Sequence, residues 1–354
     1  MEQKKRGDRM IILKKMKKFR RMDGSTYLLL ITIGLFFIMY ITGMVIFKEE
    51  GFTKPQVFLN LFVSNAGLIV IATGMTMVMI TGGIDISVGS VVALTCMLLA
   101  YMMEQKGIGA VPALIIVLIV GVIFGLIQGF FISYLKIQPF IVTLAGMFFA
   151  RGMTAMISQE MISIKNETFL RWAKYKVNLP FLGGTVNKKG ITIYPFIYPS
   201  VIIAILILLF VFLLLKFTKF GRTIYAVGGN EQSALMMGLN VRRTKLFVYG
   251  INGFLCTLGG FLFSLNTCAG FVEQARGLEM EAIASSVIGG TLLTGGVGNV
   301  FGSLFGVLIK GTIETFITFQ GTLSSWWTRI TIATLLAFFI ILQSLFAKAK
   351  EKKK

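Results

Sequence analysis

Asp85, Lys310 and Glu314 fall inside long apolar runs of this sequence. Ionisable groups at membrane depth are costly and mark functional positions. Asp85 lies between Gly-rich elements, where it either contacts a transported molecule, gates its path, or caps the start of the next helix near the cytoplasmic surface. Lys310 and Glu314 stand four apart and share one face of a helix. They line a pathway, pair with a neighbouring subunit, or neutralise each other on a buried face. Arg151 and Arg329 sit near outer span ends, where long cationic side chains snorkel to the surface. Asn65, Gln128 and Asn252 are polar points within spans, suited to bonds between helices, and Asn65 is also a pathway candidate. Cys96, Cys256 and Cys268 have the spacing of neither a metal site nor a disulfide framework. The chain contains no histidine, which excludes histidine general-base chemistry and a His-containing zinc centre.

A repeat organises these residues. Thr81 to Ser90 reads TGGIDISVGS and Thr294 to Ser303 reads TGGVGNVFGS. Gly82 matches Gly295, Gly83 matches Gly296, and Gly89-Ser90 matches Gly302-Ser303. Each copy follows one apolar run and opens another. Glycine pairs break a helix or let backbones approach closely, and matched breaks in two halves predict an internally duplicated membrane protein with its pathway between the halves. Gly82, Gly83, Gly295 and Gly296 are therefore pathway candidates too.

The elements that must position these residues are membrane helices. The chain has 354 residues, 55% of them hydrophobic, with mean hydropathy +0.81. That length suits about ten spanning helices of roughly 20 residues each. The expected fold is an all-α, polytopic integral membrane protein of about ten helices, some short or broken. The predicted spans are 27–47, 57–80, 87–103, 111–133, 139–157, 197–215, 246–266, 280–293, 299–319 and 326–346, leaving a basic N-terminus at 1–26, a transmembrane domain at 27–346 and a basic tail at 347–354. No cleavable signal peptide is expected, because the run Tyr27–Phe47 is long enough to span. The net charge of +20 clusters at the termini and in loops, which suits anionic lipid rather than nucleic acid.

Ten basic residues in 1–26, six in the loop 216–245 and five in 348–354 fall on one side if the spans are even in number. The positive-inside rule makes that side the cytoplasm. The loop 158–196 also carries six basic residues. Its content nevertheless suits an ordered extracytoplasmic excursion, since Phe181-Leu-Gly-Gly and Gly190-Ile-Thr-Ile-Tyr-Pro read as short strands joined at a turn. Trp326 and Trp327 fall at an interface as belt anchors.

The loop 216–245 carries the second mechanistic motif. Asn230 is placed to cap a short helix, with Glu231 in its first turn; Gly238 followed by Asn240 ends it. Ala234, Leu235, Met236 and Met237 make an apolar surface that rests on lipid or docks into a groove on a second protein.

GRTIYAVGGNEQSALMMGLNVRRTK resembles the coupling-helix segment of permease subunits of bacterial sugar ABC importers, the ribose, xylose, arabinose and galactose group. TGGIDISVGSVVALT resembles that family's signature after the second span, and ASSVIGGTLLTGGVGNVFGSLFGVLI its C-terminal segment. The resemblance covers about residues 25–346. The ending TLSSWWTRI further resembles galactofuranose-type permeases. The resemblance implies a monosaccharide substrate, a second permease (identical or related), an ABC ATPase subunit carrying ATP and Mg, an extracytoplasmic sugar-binding protein, and a bacterial cytoplasmic (inner) membrane with both termini inside. It implies no cofactor on this chain. It assigns ATPase coupling to Gly228, Asn230, Glu231, Ala234, Leu235, Met237 and Gly238. The sequence contains no Gly-Lys pair and so no Walker A loop, which leaves ATP hydrolysis to another chain. The alternatives from other classes are an ion-coupled secondary transporter working through Asp85 or Glu314, and a membrane enzyme using the same carboxylates.

Overall fold

The computed structural model describes residues 24–186, 192–322, 324 and 326–351. The basic segment up to Asp23, Gly190-Ile191 of the expected hairpin and the last three lysines lie outside them. A helix stands at each of the ten predicted spans. These are α1 (Gly24–Ile46), α2 (Pro55–Ile80), α3 (Val88–Glu104), α4 (Ala110–Ser133), α5 (Pro139–Ile157), α7 (Pro199–Phe217), α10 (Val241–Thr267), α11 (Leu278–Ile288), α12 (Val300–Gln320) and α13 (Trp326–Glu351). Between them lie the shorter α6 (Glu167–Lys174), α8 (Lys219–Gly229) and α9 (Glu231–Met236). Seven of the helices, α1, α2, α4, α5, α7, α10 and α12, are long and apolar enough to cross a membrane. The chain is an all-α, multi-pass membrane protein. Proline opens α2, α5 and α7, where its missing N–H costs nothing.

The core is built on α2 and α10, whose side chains are buried along most of their length. Apolar burial alone does not drive helices together in lipid, so close packing must do it. The seam between α4 and α10 shows how. Gly121, Gly125 and Gly129 recur every fourth residue on one face of α4. A Cβ at Gly125 would lie 2.3 Å from the Tyr249 carbonyl oxygen, and one at Gly253 would lie 2.2 Å from the Gly121 carbonyl oxygen. Ile115, Ile119, Ile123 and Ile127 follow the same spacing on an exposed face of α4.

Several sequence expectations are corrected. The eighth span stops at Ile288, because Gly290 takes φ +90° and the segment from Gly289 to Asn299 is not helical. At 11 residues α11 is about 16 Å long, half of a bilayer core. The seventh span begins at Val241, so Arg242, Arg243 and Lys245 lie within α10 rather than before it. Phe181-Leu182 form a 3-10 turn with Pro180 instead of a strand. The hairpin pairs β3 (Thr185–Val186) with β4 (Thr192–Ile193). In the same excursion β2 (Val177–Asn178) pairs with β5 (Phe196–Ile197), and β1 (Ile162–Ser163) pairs with β6 (Ala269–Gly270).

These pairings sort the connections into two faces. Gln56 at the start of α2 exchanges hydrogen bonds with the Phe196 backbone, and Glu104 at the end of α3 accepts the Lys165 and Asn166 N–H groups. The 158–198 excursion therefore shares a face with the start of α2 and the end of α3. At the opposite face α8 meets the end of α2 at Ile80 and the 289–299 segment, and α9 follows it.

Candidate functional site

The two glycine loops meet at that opposite face. Gly296 N–H donates to the Ile80 carbonyl at 2.8 Å. Gly82 and Gly295 both adopt the left-handed region, at φ +78° and +85°, which disfavours any side chain. A Cβ on Gly295 would lie 2.8 Å from Gly82 N. The matched second glycines differ: Gly296 has φ +74° and abuts Gly229, whereas the position a Cβ on Gly83 would take lies 2.4 Å from the Tyr249 hydroxyl. The structure thus brings Gly82, Gly295 and Gly296 together and sets Gly83 against α10.

Gly228, at the end of α8, wedges into the same junction. A Cβ there would stand 1.6 Å from the Ile80 carbonyl oxygen and 2.6 Å from Gly296 N. Tyr225, one turn earlier, donates its hydroxyl to the Gly298 carbonyl at 2.9 Å. Burial pushes this phenol above its ordinary pKa, so it remains a neutral donor. Neither Tyr225 nor the Ile80 carbonyl carries a signal in the sequence, since α8 reads as loop and a backbone oxygen has no residue type.

After Gly229 the chain forms α9 as its composition predicts. Asn230 Oδ1 accepts the Ser233 N–H at 2.8 Å, Glu231 occupies the first turn, and Gly238 closes the helix at φ +77°. The apolar surface differs from expectation. Ala234 is fully buried against Val227 and Val241 of its own chain, while Leu235, Met236 and Met237 are 65%, 87% and 66% exposed. The outward apolar face is Leu235-Met236-Met237, and Ala234 is its inner anchor. Glu231 pairs with Lys245 of α10 at 2.5 Å, fixing α9 to the span that follows.

Asp85 is buried, and its carboxylate accepts the backbone N–H of Ser87 at the start of α3 as a capping residue does. Oδ1 accepts from Ser87 N at 2.9 Å and Ser87 Oγ at 2.6 Å; Oδ2 accepts from Asn252 Nδ2 at 2.7 Å. Gln128 Nε2 donates to Ser87 Oγ at 3.0 Å. Asn252 lies about 16 Å along α10 from its start, counting 1.5 Å per residue. Asp85 therefore ties the first glycine loop to α4 and α10 deep in the bundle, through neutral donors alone.

Lys310 forms the centre of a second cluster. Its Nζ lies 2.7 Å from Glu314 Oε1, 3.2 Å from Glu281 Oε2 of α11 and 3.3 Å from Asn65 Oδ1 of α2. Glu281 is absent from the sequence-based candidates, although a carboxylate inside the predicted span 280–293 is the signal that marks it. Two cavities of about 400 and 440 Å³ share Ser64 and Asn65 and open beside this cluster. The larger is also walled by Phe263, Thr267, Gln274 and Arg329. Arg151, expected to snorkel, instead donates to the Val272 and Gln274 carbonyls and pins the segment after β6. Arg329 stacks over Trp326, 4.7 Å from the ring centre. The arrangement offers a polar vestibule toward the excursion face, a closed glycine junction at the other, and a protruding apolar helix beyond it.

The sequence matches the family described as "Branched-chain amino acid transport system / permease component" over residues 57–342. It is 43% identical to the inner membrane ABC transporter permease protein YjfF of Escherichia coli (strain K12), covering 89% of this chain and 91% of that protein. It is 33% identical to the fructose import permease protein FruG of Bifidobacterium longum (strain NCC 2705), covering 92% and 93% of the two chains. It is likewise 33% identical to the ribose import permease protein RbsC of Bacillus subtilis (strain 168), over 82% and 85%. No solved structure matches.

Proposed function

From the premise that this chain belongs to the branched-chain amino acid transport system / permease component family, we propose that it is the membrane-spanning subunit of an ABC importer whose cargo is a monosaccharide. The family's description names amino acids, but two relatives similar over 92% and 82% of this chain are named as fructose and ribose import permeases. The vestibule supports the sugar reading. A branched-chain side chain wants an apolar pocket, whereas Asn65, Glu281, Glu314 and Gln274 offer donors and acceptors for hydroxyl groups. A separate ATPase subunit, with ATP and Mg, docks on Leu235, Met236 and Met237; a sugar-binding protein delivers cargo at the vestibule face; a second permease, identical or related, completes the pathway. The chain lies in a bacterial inner membrane with the α8–α9 face and both termini in the cytoplasm.

The observation that carries the mechanism is Gly228. The segment that leads into the exposed helix is packed without a gap on Ile80 and Gly296, so a push on α9 reaches both glycine loops at once. Closure of the ATPase dimer would move α8–α9 and switch the pathway between outward and inward access. The test is uptake by proteoliposomes containing this chain with an ABC ATPase subunit, a partner permease where one is needed, and a sugar-binding protein. Monosaccharide accumulation should require ATP inside and the binding protein outside. Leucine accumulation, or sugar uptake driven by an ion gradient without ATP, would overturn the proposal. Orientation has its own test: in a Cys-free background, a cysteine at Arg276 should react with an impermeant reagent from outside and one at Leu235 should not.

A further inference from the structure

At the α9 face, a cavity of about 670 Å³ lies between the α4–α5 turn, α9 and the start of α10. Lys136, Arg242 and Lys245 line it, against one carboxylate, Glu231. Lys245 and Glu231 satisfy each other, which leaves Lys136 and Arg242 as the net positive charge of the site. Lys136 adopts φ +55°, an uncommon conformation for a side-chain-bearing residue. Ser133, 5% exposed, also lines the cavity, and its hydroxyl has no hydrogen-bond partner among the described residues. A buried hydroxyl left unpaired points to a partner that the chain itself does not provide.

Ile137 belongs to this cavity and to a second one. The second is an apolar groove of about 470 Å³ between the end of α4 and the start of α5, walled by Phe124, Phe131, Ile141, Ala145 and Phe149. These wall residues are exposed or half-buried on the outer surface of the bundle, where the solvent is lipid. Along α5 the groove runs from Ile141 to Phe149, about 12 Å at 1.5 Å per residue, which is most of one leaflet's hydrocarbon depth. A cationic pocket with an unpaired hydroxyl thus continues into a hydrocarbon groove on the lipid-facing surface.

We propose that this continuous site binds one anionic phospholipid. Its phosphate sits among Lys136, Arg242 and the Ser133 hydroxyl, and one acyl chain lies in the α4–α5 groove. A soluble anion would use the first half of the site and leave the second empty; a neutral lipid would do the reverse. Because Leu235 and Gln232 of α9 form one wall of the cavity, the lipid braces the exposed helix from the membrane side.

The purified full chain, exchanged into nanodiscs of phosphatidylcholine with 10% phosphatidylglycerol of the same chains, is to be examined by native mass spectrometry. One phosphatidylglycerol should be retained per chain, about tenfold enriched over its bulk share. K136Q with R242Q should abolish the enrichment. A145W, and independently I141W, should lower it about tenfold by filling the groove without touching a charge; thermal unfolding in pure phosphatidylcholine selects which of the two is read. Glycerol phosphate and inorganic phosphate at millimolar concentration should not displace the lipid. Enrichment unchanged by the charge variants or by the groove variant overturns the proposal. So does displacement by either soluble anion, which would make this an anion site. Unchanged enrichment with loss of ATPase co-purification would make the cavity the partner's socket, and overturns the proposal equally.

Discussion

The two glycine loops begin alike and end differently. Both place a left-handed glycine, Gly82 or Gly295, at the junction under α2. Four residues after the leading threonine the first copy has Asp85 and the second has Gly298. Asp85 fastens its loop inward, to Ser87, Asn252 and through them Gln128. Gly298 offers only its carbonyl, and that is held by Tyr225 of α8. One copy of the repeated turn is thus anchored in the bundle core, the other to the segment that carries the exposed helix. The two turns share a shape while single residues tie them differently; in the proposed coupling the first is the fixed abutment and the second the moving one.

The comparison breaks most sharply at the residue both copies share. Gly228→Leu forces a side chain into the space held by the Ile80 carbonyl and Gly296 N. ATP-driven uptake in proteoliposomes should fall at least 100-fold while the chain still inserts and still binds its ATPase. Uptake above a tenth of wild type would mean that the junction need not be tight. The fixed abutment comes next. Asp85→Leu leaves the Asn252 and Ser87 donors unpaired in a dry region and should cost about 3 kcal/mol, since each orphaned group costs about 1–3. Asp85→Asn, which keeps the shape and lets Asn252 turn its amide, should cost about 1 kcal/mol. Thermal unfolding in detergent measures both, and equal losses would show that charge, not hydrogen bonding, is what the site needs. Ala234→Asp and Met236→Asp separate anchoring from docking. The first should destabilise α9 and its packing on Val227 and Val241; the second should leave stability within about 0.5 kcal/mol, as for an exposed site, and cut ATPase co-purification at least tenfold. If the two behave alike, the assignment of inner and outer faces is wrong. The smallest effect belongs to the moving abutment: Tyr225→Phe removes one neutral hydrogen bond worth about 1 kcal/mol and should slow uptake about two- to fivefold without changing sugar affinity.

What the sequence discloses and what it withholds follow from the range of each interaction. Span positions are legible because twenty apolar residues in a row have one common use, and α9 because Asn230, Glu231 and Gly238 punctuate it locally. The inward turn of Ala234 is not, since at six residues α9 is too short for its periodicity to name a face. Glu281 and Lys310 sit on helices that touch only after folding, so their pairing leaves no spacing to read. Arg151 misleads because proximity to a span end suggests water, while its actual partners are the backbone carbonyls of a segment 121 and 123 residues later. The break after Ile288 is hidden in an apolar run whose glycines at 289 and 290 also suit close packing.

The glycine seam between α4 and α10 carries a consequence for biosynthesis. Gly121 is translated 132 residues ahead of Gly253, the position it packs against. At about 5–20 residues per second the finished α4 waits roughly 7–26 seconds in the bilayer, or beside the insertion machinery, with its glycine face uncovered. During that interval any helix with small residues at the same spacing is a competing partner. The seam thus has to form between two segments that the ribosome delivers far apart in time.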